Sequence, residues 1–388
     1  MTSRARNVAI LGSTGSIGRS TLEVIQASGG RLRAVALSAN ARLDVLLDQA
    51  RWVKPRWIVA TDAEAAAGVA SGDLPRGTEL LVGHDALRRV VADAEVDVVV
   101  AAIVGSAGLA STWSAIEAGK TVALANKETL VMAGPLVMRL AQEHGATIVP
   151  VDSEHGAVFQ ALQAGRREDV KRIVLTASGG PFRRHTREQL KNVTVEQALA
   201  HPTWNMGPKI TVDSATMMNK ALEIVEARWL FGLEVDQIGV VIHPQSVVHS
   251  LVEFRDGSVL AQLGPPDMKL PIQYALTYPE RWEGPAARLD WDRPFELEFE
   301  PPDRERFPAL DLGYEVARAG GSAGAALNAA NEAAVALFLG GGLRYDQIVP
   351  ACRAVLQSHS FEPDPTLGRL LELDAWARTE VNRWAQVC

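Results

Sequence analysis

Cysteine is scarce in this sequence of 388 residues. Cys352 and Cys388 are the only two, so the chain has neither a disulfide framework nor a cysteine cluster of the kind that binds zinc. Small secreted proteins depend on disulfides, whereas cytosolic proteins keep their thiols reduced. The shortage of cysteine therefore predicts a reducing compartment, and we expect the protein to work in the cytoplasm.

A long apolar run and a surplus of positive charge are also missing. The longest apolar stretch, Val98 to Ala110, is interrupted by glycines and Ser106 and falls short of the roughly 20 residues that cross a bilayer. After Arg4 and Arg6, the small or apolar residues Val8 to Gly12 are too few for a signal peptide. With 39 Lys and Arg against 46 Asp and Glu, the formal charge of −7 argues against nucleic acid and anionic membranes as partners. An anionic ligand would have to be bound by a few local groups.

The composition that remains is typical of a folded protein with sizeable cores. Hydrophobic residues make up 47% of the chain and charged residues 22%. At about 150 residues per domain, the length predicts two to three domains. Up to about residue 150, short β-branched runs alternate with helical patterns, which predicts a Rossmann-like α/β domain with a parallel sheet. The predicted strands are Asn7–Leu11, Ala34–Leu37, Trp57–Ala60, Val96–Val104, Thr121–Leu124 and Thr147–Pro150.

The pattern changes after Val151 and predicts a central α+β domain. Arg172–Thr176 has the composition of a strand, and Ser214 to Phe231 reads as one long helix with Ser214 as its N-cap. Val252–Leu263 predicts two strands joined at Asp256-Gly257, a frequent hairpin dipeptide.

The last third of the chain predicts an extended connection followed by a helical bundle. Five prolines break any regular element between about residues 283 and 310. Helical spacing in Ala325–Leu339 and Leu367–Ala385 predicts helices, with a glycine run at 340–342 as a stop. The predicted division is a nucleotide-binding domain at 1–150, a catalytic domain at 151–285, a linker at 286–310 and a helical domain at 311–388.

A glycine-rich turn follows the first predicted strand. Gly12, Gly15 and Gly18 lie in the order strand, turn and helix, with the helix expected from about Ser16 to Gln26. Free backbone N–H groups and the positive end of a helix dipole suit a pyrophosphate. The spacing differs from the commoner G-x-G-x-x-G, so a tight turn without a ligand remains the alternative.

The end of the second strand distinguishes between the two nicotinamide cofactors. An acidic residue there binds the 2′-hydroxyl of NAD, whereas arginine favours the 2′-phosphate of NADP. After Leu37 no carboxylate occurs before Asp44, and Asn40 and Arg42 lie in the interval. We therefore expect NADP, while Arg42 as a solvated residue at a helix start is the alternative.

Two carboxylates follow the strand Thr147–Pro150. Asp152 and Glu154 lie where open α/β sheets bind ligands, at the C-terminal end of a parallel strand. In an extended segment side chains at i and i+2 point the same way, so both could bind one Mg²⁺ or Mn²⁺. A solvated acidic loop is the alternative.

A third carboxylate shares a helix face with a lysine and an amide. Asn219 and Glu223 are spaced i, i+4, and Lys220 and Glu223 are spaced i, i+3. Lys220 could supply positive charge to a phosphate, Asn219 a donor, and Glu223 a metal ligand. An exposed helix face with a Lys–Glu pair is the alternative.

Two further segments have the composition of ligand-closing loops. Residues 177–181 offer Ser178 and backbone N–H groups to a phosphoryl group. Residues 201–209, here called the covering loop, combine His201, Trp204 and Met206 between prolines, with Gly207 as a hinge. Such a loop could exclude water from a substrate. A rigid surface loop with Trp204 packed down is the alternative.

In combination these segments resemble the 1-deoxy-D-xylulose 5-phosphate reductoisomerase family. The resemblance follows the chain in order over nearly its whole length. It rests on Gly12–Gly18, Ala125–Glu128, Val151–His155, Ser178–Phe182, His201–Trp204, Met206–Glu223, His243–Ser246 and Leu327–Glu332.

The resemblance implies an oxidoreductase that acts on a CH–OH group of a small sugar phosphate and forms a homodimer. Its implied cofactors are NADPH and one divalent cation, Mg²⁺ or Mn²⁺. The implied metal ligands are Asp152, Glu154 and Glu223, which with Lys127 and His201 form the implied catalytic set.

The family pattern also implies the binding residues. For the substrate they are Ser178, Ser214, Asn219 and Lys220 at the phosphate and Ser153, Lys127, Glu154, His201, Trp204, Met206 and Glu223 elsewhere. For NADPH they are Thr14, Gly15, Ser16, Ile17, Asn40, Asn126, Glu128 and Gly207. The family often has Gly-Lys-Asn after the second strand, where this chain has Asn40-Ala41-Arg42, so Arg42 is taken as the replacement for the lysine.

Two other functions remain open at this point. A metal-independent NADP-dependent dehydrogenase would leave the three carboxylates as structural residues. A non-catalytic protein that responds to a dinucleotide would leave the acidic residues and Lys220 without a purpose.

Overall fold

The computed structural model describes residues 4–387. Cys388 lies outside these residues, so the prediction about disulfides can be followed only for Cys352, which is a free thiol. The described chain forms two compact units, which we call unit 1 and unit 2. Unit 1 contains residues 4–126, 137–156 and 267–287, and unit 2 contains residues 127–136, 157–266 and 288–387. The division into three domains and a linker stays a prediction.

Unit 1 is built on a seven-stranded sheet in the order β4-β3-β2-β1-β5-β6-β7, in which all pairs are parallel. Most of the strands are buried on both faces, as β-branched runs without alternation predict. This confirms the expected Rossmann-like sheet. The strands are β1 Arg6–Leu11, β2 Leu32–Ala39, β3 Trp57–Ala60, β4 Glu79–Val82, β5 Val98–Ala101, β6 Thr121–Leu124 and β7 Thr147–Pro150.

The strand predictions in unit 1 missed one strand and made another too long. β4 has no counterpart among them, because this edge strand is only partly buried and lacks a β-branched run. The predicted strand Val96–Val104 is reduced to β5, since the chain leaves the sheet before Gly105, whose φ is 78°. The helices that connect the strands are α1 Ser16–Ala27, α2 Leu43–Val53, α3 Ala63–Ala66, α4 His84–Ala92 and α5 Leu109–Glu117.

At two of the five points where the chain crosses between the units, the crossing lies within a helix. The two helices are α6 Lys127–His144, which follows β6, and α7 Ser153–Ala161, which follows β7. α6 departs from helical geometry at Ala133, two residues before Pro135, where a proline removes a helical hydrogen bond.

Unit 2 contains a four-stranded sheet in the order β11-β10-β8-β9. Its strands are β8 Val170–Ala177, β9 Ile238–Ile242, β10 Val248–Phe254 and β11 Val259–Leu263. β10 and β11 pair antiparallel across the turn at Gly257, which has a φ of 89°, so the predicted hairpin is confirmed.

The predicted long helix from Ser214 to Phe231 is in fact two helices. After the short helices α8 Arg187–Leu190 and α9 Val195–Leu199, the chain forms α10 Pro208–Thr216 and α11 Met218–Phe231. Met217 separates α10 from α11 with a left-handed φ of 62°, and its side chain is buried in the core. Ser214 therefore lies in the last turn of α10 and is not an N-cap. Helical spacing cannot reveal such a break, because burial of Met217 imposes it.

The C-terminal part of unit 2 is helical, as predicted. After α12 Lys269–Thr277 of unit 1, residues 279–308 contain no helix or strand apart from an isolated bridge between Glu300 and Ile242. Four helices follow, α13 Ala309–Ala319, α14 Ala323–Leu339, α15 Ile348–Ser358 and α16 Leu367–Ala385. No helix among residues 4–387 is both long and apolar enough to cross a membrane.

Candidate active site

The glycine-rich turn of unit 1 is held rigidly between β1 and α1. Gly12 has a φ of 77°, and a Cβ on Gly18 would lie 2.4 Å from the Cα of Ser13, so both positions require glycine. The Gly12 N–H donates to Ser38 Oγ at 3.0 Å, and Ser13 Oγ donates to Gln49 Oε1 at 2.8 Å. α1 begins at Ser16 with Gly15 as its N-cap, so no side chain of the cap residue covers the first N–H groups. The turn has the geometry of an anion-binding helix start.

The predicted 2′-phosphate residues lie beside this turn. The Arg42 guanidinium donates to the backbone oxygen of Thr14 at 2.8 Å, which links the end of β2 to the glycine turn. Asn40 Oδ1 accepts a hydrogen bond from Thr61 Oγ1 at 2.9 Å, and Asn40 and Arg42 are both exposed. Ser16 is exposed and Ile17 half-buried in the first turn of α1. The roles of these residues stay predictions.

Asn126 organises a different loop of unit 1. Its buried amide donates to the backbone oxygen of Gly105 at 2.9 Å and also to that of Ile103. A Cβ on Gly108 would lie 2.9 Å from this amide. Asn126 therefore joins β6 to the loop after β5, and its predicted NADPH contact is untested.

Asp152, Ser153 and Glu154 follow β7, but not as an extended segment. α7 begins at Ser153, and Asp152 Oδ1 accepts a hydrogen bond from the Glu154 N–H at 3.1 Å, as an N-cap does. The side chains of Asp152 and Glu154 therefore project from the start of α7 and not from a strand as expected, but their carboxylate oxygens still lie within 4.8 Å of each other. All three residues are half-buried, and Ser153 Oγ donates to the Glu154 carboxylate.

Glu223 of unit 2 lies at the centre of a buried polar cluster. Its side chain has no exposed area, and its carboxylate accepts hydrogen bonds from Lys127 Nζ at 3.3 Å, from Asn219 Nδ2 at 2.6 Å and from Lys220 Nζ. Lys127 Nζ also donates to Asn219 Oδ1 at 2.7 Å. Buried ammonium groups require a nearby anion, which Glu223 supplies. The alternative of an exposed helix face is excluded for this segment.

The break at Met217 gives α11 its own N-terminal end, which includes residues predicted for the phosphate. Asn219 and Lys220 lie in the first turn of α11, where the helix dipole favours an anion. Gly180 has a φ of 66°, and a Cβ there would lie 2.7 Å from the backbone oxygen of Ser214. The loop after β8 therefore packs directly on the end of α10, and Ser178 Oγ accepts a hydrogen bond from the Gly180 N–H at 3.2 Å.

His201 fixes the first part of the covering loop. Its Nδ1 accepts hydrogen bonds from the backbone N–H groups of Thr203 at 3.1 Å and Trp204 at 2.9 Å. Because Nδ1 is an acceptor, Nε2 must carry the ring proton of a neutral imidazole. Nε2 lies 3.0 Å from Ser178 Oγ. Burial lowers the pKa of His201, which also favours the neutral ring. Trp204 and Met206 are half-buried and Gly207 is exposed.

The other end of the covering loop carries an ion pair that sequence reasoning missed. Lys209 Nζ lies 2.9 Å from Glu128 Oε1 and 2.8 Å from Asp213 Oδ2. Although burial acts to raise the pKa of Glu128, the facing Lys209 ammonium outweighs it and the pKa lies below its usual value. The i, i+4 spacing of Lys209 and Asp213 was a usable signal, but the pairing with Glu128 was not, because 81 positions separate the two residues.

Comparison with known proteins agrees with this arrangement. Residues 8–134 match the family described as 1-deoxy-D-xylulose 5-phosphate reductoisomerase, and residues 148–231 and 263–380 match C-terminal domains described for the same enzyme. A protein of that name from Heliobacterium modesticaldum is 52% identical over 96% of this chain and 96% of its own. One from Rhodopirellula baltica is 48% identical over 98% of this chain and 95% of its own.

Solved structures agree as well. A crystal structure of DOX-P reductoisomerase in complex with NADPH, fosmidomycin and magnesium has a TM-score of 0.93 and 45% identity, over 98% of both chains. The enzyme from Zymomonas mobilis in complex with NADPH has a TM-score of 0.90 and 42% identity, over 99% of this chain and 100% of its own. The chain belongs to the 1-deoxy-D-xylulose 5-phosphate reductoisomerase family.

Proposed function

We propose that the protein converts 1-deoxy-D-xylulose 5-phosphate into 2-C-methyl-D-erythritol 4-phosphate in non-mevalonate isoprenoid biosynthesis. The observation that carries this proposal is similarity along almost the whole chain to enzymes of that name, including structures that hold NADPH and magnesium. The buried polar cluster around Glu223 adds a site whose charges suit a phosphorylated, metal-chelating substrate.

We propose that Asp152, Glu154 and Glu223 hold the divalent cation, each through a carboxylate oxygen. Carboxylate oxygens are the ligands that Mg²⁺ and Mn²⁺ prefer, so the donor set fits either ion. When bound, the cation polarises the substrate carbonyl and an adjacent hydroxyl, and NADPH supplies a hydride. Lys127 and Lys220 hold Glu223 in one orientation by donating to its two oxygens.

The substrate phosphate is proposed to bind at the start of α11. Lys220 contributes positive charge, Asn219 an amide donor, and the first N–H groups of the helix add their dipoles. Ser178 and Ser214 come from segments that pack against each other through Gly180. This arrangement explains how a chain with a net charge of −7 can bind an anion locally.

The sugar part of the substrate is proposed to bind beside the covering loop. Ser153 and Lys127 would contact its hydroxyls. Trp204 and Met206 would cover the substrate and exclude water, which protects a reactive aldehyde until it is reduced. His201 keeps this segment folded through the Trp204 N–H.

NADPH is proposed to bind at the glycine turn of unit 1. Its pyrophosphate would meet the start of α1, and Arg42 would contact the 2′-phosphate. The other proposed contacts are Thr14, Gly15, Ser16, Ile17, Asn40, Asn126, Glu128 and Gly207. We further propose that the enzyme is a homodimer and acts in the cytoplasm, which a measurement of molar mass in solution and fractionation of cells would test.

The activity test uses the purified full chain with 1-deoxy-D-xylulose 5-phosphate, NADPH and Mn²⁺. We expect oxidation of NADPH that depends on the sugar phosphate, with 2-C-methyl-D-erythritol 4-phosphate as the product by mass spectrometry. Folded protein that binds NADPH but oxidises none of it under these conditions would contradict the proposed reaction.

A further inference from the structure

A series of buried polar contacts beyond the proposed reaction site joins three helices of unit 2. Asn331 Nδ2 on α14 donates to Asp213 Oδ1 on α10 at 2.8 Å. Asp213 Oδ2 lies 2.8 Å from Lys209 Nζ, which donates to Glu128 Oε1 on α6 at 2.9 Å. Asp213 and Asn331 have no exposed area, and Glu128 is also buried. We call these four residues the α14–α6 network.

Asn331 takes part in this network through its contact with Asp213. Its amide nitrogen donates to the aspartate, while its amide oxygen has no hydrogen-bond partner within residues 4–387. An unpartnered polar atom in a protein interior is destabilising, whereas a hydrogen bond to a carboxylate is strong. The contact therefore orients the Asp213 carboxylate toward Lys209.

Lys209 is held between two carboxylates. Burial acts to lower its pKa, but the facing Asp213 and Glu128 outweigh burial and raise the pKa, so the side chain remains an ammonium group. A buried ion pair adds little net stability compared with apolar packing, so its main consequence here is orientation. With two anionic partners on different helices, Lys209 has one defined direction.

This direction affects the covering loop, because Lys209 follows the loop hinge. α10 starts at Pro208, and the Gly207 oxygen accepts hydrogen bonds from the Thr211 N–H at 3.1 Å and Thr211 Oγ1 at 2.8 Å. Glu128, on the other side of Lys209, is the neighbour of Lys127, which contacts Glu223. One ion pair thus joins the end of the loop to the start of α6.

We propose that Asp213 is a positioning residue that acts through Lys209 to hold the C-terminal end of the covering loop against the start of α6. Asn331 supports Asp213 from α14, so the helical C-terminal part of the chain takes part in ordering the loop. The inference rests on the proposed function, since the loop and Lys127 belong to the proposed site. Asp213 is not among the residues proposed to contact substrate or cofactor.

The first experiment compares Asp213→Asn with Asp374→Asn. Asp374 is a matched control, because it is a buried carboxylate of unit 2 that pairs with Arg378 at 2.7 Å on α16. We expect Asp213→Asn to lower kcat/KM for the sugar phosphate roughly 10- to 100-fold, the cost of a small misplacement of binding groups. Hydrogen exchange at residues 202–207 should become faster in this variant only.

Asp374→Asn should lower thermal stability but leave kcat/KM and loop exchange at their wild-type values. If Asp213→Asn lowers thermal stability but keeps wild-type kcat/KM and loop exchange, Asp213 is a purely structural residue and the inference is wrong. Should Asp213→Asn not fold, Asn331→Ala weakens the same network from α14 and is expected to give a smaller loss of kcat/KM with faster loop exchange. Wild-type values in folded Asn331→Ala would equally overturn the inference.

A second experiment tests whether Asp213 acts through Lys209. In Lys209→Met the methionine keeps most of the side-chain length but no charge, so Asp213→Asn should reduce kcat/KM no further in that background. Losses that simply add would show that Asp213 acts by another route. Lys209→Arg should restore part of the activity.

Failure of the inference and failure of the proposed function give different results. If wild-type protein does not oxidise NADPH with this sugar phosphate, the proposed function is wrong, and loop exchange in Asp213→Asn still reports on positioning. If the wild type is active and Asp213→Asn matches it in kcat/KM and exchange, only the inference fails.

Discussion

The carboxylate of Glu223 illustrates how one side chain is specified by its surroundings. It accepts hydrogen bonds from Lys127, Asn219 and Lys220 while it is itself fully buried. Two ammonium groups donate to the two oxygens of one carboxylate, which holds that carboxylate in one orientation. The effect of a substitution at Glu223 therefore separates metal binding from nucleotide binding.

Glu223→Gln should weaken the affinity for the metal far more than the affinity for NADPH. The amide keeps the shape but loses the anionic oxygen, so we expect the Mn²⁺ concentration for half-maximal activity to rise more than roughly tenfold. Glu226→Gln is the control, because Glu226 is equally buried on α11. Metal titrations and NADPH binding by fluorescence measure the two effects. Equal damage to both would contradict the assignment of Glu223 as a metal ligand.

Arg42→Ala tests whether a single exposed residue contributes to the preference for NADPH over NADH. A charge-assisted hydrogen bond contributes about 1.5–3 kcal/mol, so the KM for NADPH should rise about tenfold or more. The KM for NADH should change little, because NADH has no 2′-phosphate. Arg51→Ala is the control, since Arg51 is an exposed arginine of α2 that pairs with Asp48 of the same helix. Unchanged use of NADPH would remove Arg42 from the site.

At the scale of elements, the loop after β8 is fitted to the end of α10 without room for a side chain. Gly180 has a left-handed φ, and a Cβ there would lie 2.7 Å from the Ser214 oxygen. Gly341 also has a left-handed φ, of 77°, but a Cβ there meets nothing within 4 Å. A comparison of substitutions at the two glycines therefore separates the energetic cost of a left-handed backbone from the cost of the close contact.

Gly180→Ala should destabilise the protein more than Gly341→Ala. Both variants carry the cost of a left-handed residue, roughly 1–2 kcal/mol, and Gly180→Ala adds a clash of about 1–3 kcal/mol. We also expect only Gly180→Ala to raise the KM for the sugar phosphate, because it moves Ser178 away from Ser214. Denaturant unfolding and steady-state kinetics measure the two effects. Equal loss of stability in both variants would show that the loop can move aside freely.

The covering loop should lose its order in acid because its first turn depends on neutral His201. The folded pKa lies below the ordinary value of 6.5, so the unfolded chain binds the proton more readily than the folded chain. Stability from this residue is present above about pH 6.5 and is lost as the pH falls from there through the lower folded pKa. The difference in free energy of unfolding between wild type and His201→Gln, measured against pH, should shrink below about pH 6.5. A difference that does not vary with pH would contradict the role of a neutral His201 whose Nδ1 accepts two hydrogen bonds.

At the scale of the whole molecule, the chain combines an acidic net charge with anionic ligands. A formal net charge of −7 offers no general attraction for NADPH or a sugar phosphate, so we expect binding to depend on helix N-termini, a few cations and a metal. Removal of the metal with EDTA should abolish turnover while the fold and NADPH binding persist, and Mn²⁺ should restore turnover. Circular dichroism and NADPH titration provide the controls. Full activity in EDTA would favour a metal-independent dehydrogenase.

Much of the architecture follows from local sequence patterns. Buried β-branched runs predict the strands of the parallel sheet, because central strands are apolar on both faces. Such runs can be recognised without knowing which strands lie beside them. Asp256-Gly257 predicts its hairpin, since the turn requires a positive φ that glycine provides. Gly12 and Gly18 are similarly restricted, one by φ and the other by the contact with Ser13.

The sequence by itself determined the sheet, the glycine turn, the helical C-terminus and the family resemblance, because these depend on periodicity, backbone conformation and ordered motifs. Only the tertiary structure decided that Met217 interrupts a helix, that Asp152 caps α7, and that Lys127 meets Glu223 across 96 positions of sequence. Such features arise from burial and from pairing of distant charges. Pairing of this kind is a property of the packed chain, and no local pattern encodes which lysine finds which carboxylate.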